Sequence, residues 1–139
     1  MTEVSLFRFY VLRATYLLIV IGLGLVIWPL ILSHSSTVSL MGSVVRALLG
    51  AVSLLALLGL RYPLQMLPLL LFELAWKSIW LVAFGLPLWS GHRMDAATAE
   101  TARDCLMGIV IFPLAIPWGY VWTRYVRQPG DPWKRGAAA

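Results

Sequence analysis

The sequence holds a single cysteine, Cys105, in 139 residues. One chain therefore cannot close a disulfide, and it has neither a CxxC motif nor a Cys/His framework for zinc. Quinone-linked thiol oxidation, which needs paired cysteines, is excluded within one chain. Cys105 reads as a small apolar residue where a helix turns apolar. Histidine is almost as scarce. His34 and His92 fall in polar connections near Asp95, without the tight spacing of a metal site, so no metal and no cofactor is expected. No histidine lies inside an apolar run to ligate haem. GxSxG, HExxH, a nucleotide-binding glycine loop and paired carboxylates deep in one segment are all missing, which counts against an enzyme.

Charge is the largest shortage. Asp, Glu, Lys and Arg make up 12% of the chain and hydrophobic residues 60%. A soluble domain carries about 25% charged residues, so much of this surface needs lipid as its solvent. The formal net charge of +5 does not indicate nucleic acid, because the basic residues gather at the ends of apolar runs. That placement is characteristic of the cytoplasmic flanks of membrane helices.

What is present is a set of four long apolar runs. Each can cross a hydrocarbon core of roughly 30 Å at about 1.5 Å per residue. The expected helices cover about residues 11–32, 39–60, 64–89 and 95–126, followed by a polar, Pro/Gly-broken tail over 127–139. The first run is too long for the core of a signal peptide and contains Arg13, so it is expected to remain as an anchor. Ser33 to Thr37 form a polar turn, and Thr37 or Ser39 caps the second helix. Arg61, Tyr62 and Pro63 make so short a connection that the second and third helices must be antiparallel neighbours. Asp95 is the expected N-cap of the fourth helix, whose amphiphilic start, DAATAETARD, should project beyond the hydrocarbon. The expected fold class is all-α, a single membrane domain built as a four-transmembrane-helix bundle running up-down-up-down. No internal repeat is present, which leaves an inverted-repeat transporter without support.

Orientation follows from the basic residues near helix ends. Arg8, Arg13, Arg61, Arg124, Arg127, Lys134 and Arg135 fall on one side, and Arg46, Arg93 and Arg103 on the other. Both termini are therefore expected in the cytoplasm of a bacterial inner membrane, N-in/C-in, with the connections at 33–38 and 90–95 outside.

At the centre of the third run stand Glu73 and Lys77, its only charges, spaced i, i+4 with the acid first. That spacing lets carboxylate and ammonium meet on one helix face. Charges at such depth cost at least a few kcal/mol and face a bundle interior or a water-filled cavity. They read as a mutually neutralising pair that fixes helix packing, as a binding or ion-coupling site in which Glu73 takes up a proton or cation, or as a contact to a partner subunit. Trp76 and Trp80 flank the pair, and an aromatic-lined pocket there would suit an apolar ligand. Pro113 and Pro117 kink the fourth helix or line the space opposite the pair. Arg46 either snorkels outward or pairs with Glu100 or Asp104. Ser43, Ala47 and Ala51, and Ala115 with Gly119, carry the small-residue spacing of close helix contacts, within the chain or in a homodimer.

The size and helix count resemble several small four-helix bacterial membrane families in architecture only. Single-chain multidrug exporters carry their glutamate in the first helix, whereas Glu73 lies in the third, so no residue role carries over. The expected function is a non-enzymatic accessory protein that binds lipid, an apolar ligand or partner transmembrane helices around Glu73 and Lys77. Its partners are the lipid bilayer and either further copies in a homo-oligomer or a larger membrane complex, not nucleic acid. The alternative is a small proton- or ion-coupled transporter or channel, acting as an oligomer with Glu73 titrating.

Overall fold

The computed structural model describes residues 4–33 and 38–133, and among these all regular structure is helical. The helices are α1 (Leu6–Leu32), α2 (Leu40–Arg61), α3 (Leu67–Ser90), α4 (Ala96–Ala115) and α5 (Trp118–Arg127). Helices α1, α2 and α3 are each long and apolar enough to cross a membrane. Helices α4 and α5 together make a fourth such length, but they are bent by 77° at their junction. His34, Thr37, Lys134 and Arg135 lie outside the described residues.

Side-chain caps set the helix starts. Ser5 Oγ accepts from the Arg8 amide at 3.1 Å, so α1 begins at Leu6 and takes Arg8 and Arg13 into its first turns. Ser39 Oγ accepts from the Gly42 amide at 3.0 Å and opens α2. Asp95 Oδ1 accepts from the Thr98 amide at 2.7 Å and opens α4. Each bond satisfies an amide that the first helical turn leaves without a partner. Within α3 the coil widens to a π-type turn at Leu81–Gly85, just ahead of Pro87, whose ring nitrogen has no hydrogen to donate.

Helices α1 and α2 run antiparallel, tied at both ends. At one end Arg13 Nε donates to the Leu60 carbonyl at 2.9 Å and the Tyr16 hydroxyl to the buried Pro63 carbonyl at 2.8 Å. At the other, the Trp28 indole donates to Ser53 Oγ at 2.8 Å. Gly59 permits the approach, since a Cβ there would run into the Tyr16 ring. Helix α3 packs on α4, α1 reaches α4, and α2 reaches α3. Leu12 and Tyr16 of α1, Ala56 of α2, Leu67 and Leu70 of α3, and Phe112 of α4 share one buried cluster. The outer surface is apolar, with Leu25 75% and Leu114 71% exposed, as a lipid-solvated chain requires.

The fourth run is not the single helix to Val126 that its hydropathy indicates. A proline disfavours helical geometry at the residue before it. Ile116 accordingly turns extended, with ψ 127°, and the helix stops. Pro113 does not have this effect and stays inside α4. The carbonyls released by the break find new donors. The Trp118 indole donates to the Pro113 carbonyl at 2.9 Å, replacing the hydrogen Pro117 lacks. One Arg8 nitrogen donates to the Leu114 carbonyl at 2.6 Å and the Ala115 carbonyl at 3.4 Å. A charged side chain from α1 thus caps the end of α4.

Candidate functional site

Glu73 and Lys77 lie one turn apart on α3, on the side that packs against α4. Lys77 Nζ is 2.6 Å from Glu73 Oε2, the one salt bridge among the described residues. Glu73 is 3% exposed, and its second oxygen, Oε1, is buried with no hydrogen-bond partner. The carboxylate therefore offers one satisfied and one empty acceptor to a largely apolar interior. Leaving a buried acceptor unpaired costs roughly 1–3 kcal/mol, and more when it is charged.

The lysine is held by more than its carboxylate. Its Nζ lies 4.4 Å from the ring centroid of Trp76 and 5.5 Å from that of Phe112 on α4. Aromatic faces attract a desolvated ammonium, so the two rings offset part of the lost hydration. Its stem crosses Gly108 of α4, where a Cβ would stand 2.5 Å from Lys77 Cδ. Cys105, Gly108 and Phe112 are buried on one face of α4, at spacings of three and four residues. The site therefore joins an acid and a base on α3 to a slot on α4.

The other residues singled out by the sequence lie elsewhere. Trp80 stacks over Gly85 in the π-type turn of α3. Pro117 sits at the elbow between α4 and α5, and Pro113 gives its carbonyl to the Trp118 indole. Arg46 is half-buried, Glu100 and Asp104 are exposed, and none of the three forms an ion pair among the described residues. Helix α2 packs chiefly on α1, whereas α4 packs on α3, which keeps Arg46 from those acids. His92 is exposed, with φ 54°, in the α3–α4 connection. No cluster of three or more His, Cys, Asp or Glu among the described residues is arranged to hold a metal.

The described surface includes shallow grooves. One of about 270 Å³ lies at the elbow between Ser5, Arg8 and Trp118. Another, about 320 Å³, runs along α4 beside Arg103 and Met107. Neither is lined by Glu73, Lys77, Trp76 or Trp80.

Gly108 and Phe112 matter to these arrangements and were not singled out from sequence, and Arg8 was read there only as a charge flanking the first helix. The signal for Gly108 was its place in the Cys105–Gly108–Phe112 spacing, a small residue that opens a slot on one helix face. Arg8 carried no local signal, because its acceptors lie 106 and 107 residues away. Comparison with protein-family models, with curated proteins and with solved structures finds no match to this chain.

Proposed function

We propose that this chain is a non-enzymatic accessory protein of a bacterial inner membrane. In this reading it crosses the bilayer four times, with α4 making the fourth crossing and α5 turning toward the membrane plane at its end, and both termini are cytoplasmic. Its role is to present a rigid helical surface to lipid or to partner transmembrane helices. The observation that carries the reading is the closure of its polar centre. Glu73 and Lys77 neutralise one another at 2.6 Å, and the lysine stem is locked across Gly108. A charge pair so placed fixes the rotation and register of α3 against α4, the best-attested use of buried ion pairs. The small residues Ser43, Ala47 and Ala51 face outward on α2, where a partner helix can approach closely.

A second reading has one specific observation in its favour. Glu73 Oε1 is buried without a partner, which suits a carboxylate that takes up a proton or cation during transport. The charge swap Glu73→Lys with Lys77→Glu separates the two. Under the packing reading Glu73→Gln alone costs about 3–5 kcal/mol by stranding the ammonium, and the swap costs less because the charges stay paired although the lysine stem leaves Gly108. Denaturation of the purified protein in detergent measures both. If Glu73→Gln leaves stability unchanged and abolishes proton uptake into liposomes, the packing reading is wrong and the transport reading replaces it.

A further inference from the structure

Helix α5 leaves α4 at 77°, so when α4 stands along the membrane normal α5 runs nearly in the membrane plane. Its composition suits that position. Trp118, Trp122 and Val126 recur every four residues with Tyr125 beside them, and all are exposed. Arg124 and Arg127 are exposed as well. Tyr120 and Val121 pack against the buried cluster and hold the helix to the bundle. Trp, Tyr and Val with arginine on a short helix lying in the plane is the pattern of a segment seated at the headgroup boundary.

Among the described residues the charge at this end is predominantly basic. Arg8 is bonded to the end of α4 and Arg13 to the last turn of α2, and Arg61 ends α2 itself. With Arg124 and Arg127 they place five guanidinium groups at one end of the molecule, none in a salt bridge among the described residues. Asp131 is the acidic residue that follows them in the described chain. The elbow groove of about 270 Å³, bordered by Arg8, Ser5 and Trp118, opens at the same level.

We propose that α5 and the adjoining elbow form a binding surface for anionic phospholipid, with Arg124 and Arg127 holding the phosphates and Trp118, Trp122 and Val126 seated among the first methylenes of the acyl chains, next to the headgroups. The occupant is a lipid rather than a free anion because the arginines alternate with exposed aromatic and aliphatic side chains, which a soluble phosphate would leave in water. The surface does not depend on the role of Glu73 and Lys77, nor on which side of the membrane it faces.

The test uses the full chain in nanodiscs of phosphatidylcholine with and without phosphatidylglycerol. The readout is the ratio of the two lipids retained on the protein after transfer to detergent, measured by mass spectrometry. Phosphatidylglycerol should be enriched on the wild type, and the enrichment should fall with added salt. Arg124→Gln with Arg127→Gln should lower it by about ten- to thirtyfold. Arg93→Gln, beyond the far end of α3, should leave it unchanged. Equal retention of both lipids by the wild type overturns the proposal whatever the variants do. So does an equal loss in Arg93→Gln, or full displacement of the lipid by soluble glycerol phosphate, which would mark a site for free anions.

Discussion

Lys77 of α3 lies across Gly108 of α4, so close that a single methyl group at position 108 would sit 2.5 Å from its Cδ and 2.6 Å from its Cε. The lysine cannot swing clear without loosening its 2.6 Å bond to Glu73. The ion pair and the helix contact are thus one object. Gly108→Ala should destabilise the protein by about 1–3 kcal/mol through overpacking. In a background carrying Glu73→Gln and Lys77→Ala the slot is empty, and the same substitution should cost less by at least about 0.5 kcal/mol. Thermal or denaturant unfolding of the four proteins in one detergent measures the difference. Additive effects would mean that Gly108 and Lys77 do not share the space described.

The elbow offers a second non-additive pair. Arg8 donates to the Leu114 and Ala115 carbonyls, which are open because Pro117 ends α4. Arg8→Ala should cost about 1 kcal/mol of stability. Pro117→Ala restores a backbone N–H and frees Ile116 from its pre-proline geometry, so α4 can continue into α5. Spin labels at the exposed positions Met107 and Val126 should then move apart, as read by pulsed electron–electron resonance. In the Pro117→Ala background the effect of Arg8→Ala should shrink, because a continuous helix satisfies both carbonyls internally.

A third prediction concerns the start of α4. The Asp95 carboxyl is held below its ordinary value, first by the side chain of Thr98 and then by hydrogen bonding to the Thr98 backbone, against an opposing desolvation. A carboxyl lowered by folding stabilises the folded state above its unfolded value near 3.9, and that contribution disappears as pH falls through the folded value. Amide exchange at Thr98, whose N–H donates to Asp95 Oδ1, should therefore be slow at neutral pH and accelerate, beyond the intrinsic trend, under strongly acidic conditions. In Asp95→Ala the Thr98 amide should exchange fast at neutral pH and lose that extra acceleration, since alanine offers it no acceptor.

The helical class and the presence of three runs long enough to cross a membrane were legible from hydrophobic run length, because a span must satisfy its whole backbone internally and can do so only as a helix, although α1 begins at Leu6 rather than near residue 11. Ser39 and Asp95 were legible as caps for the same local reason. The meeting of Glu73 with Lys77 was legible too, since both residues sit on one helix at a spacing fixed by the helical repeat.

The elbow and the partners across it were decided only by tertiary structure. Hydropathy treats residues 95 to 126 as one run, and Pro113 and Pro117 look alike in it, yet α4 absorbs the first and ends at the second. The donors that make the ending tolerable, Trp118 and Arg8, depend on where α1 packs. Likewise the sequence placed a base beside an acid, but Gly108 and Phe112 met the lysine only because α3 docks on α4. Local periodicity fixes what each helix can be. The choice of neighbour rests on shape and on unpaired polar groups brought together from distant parts of the chain, which no local pattern encodes.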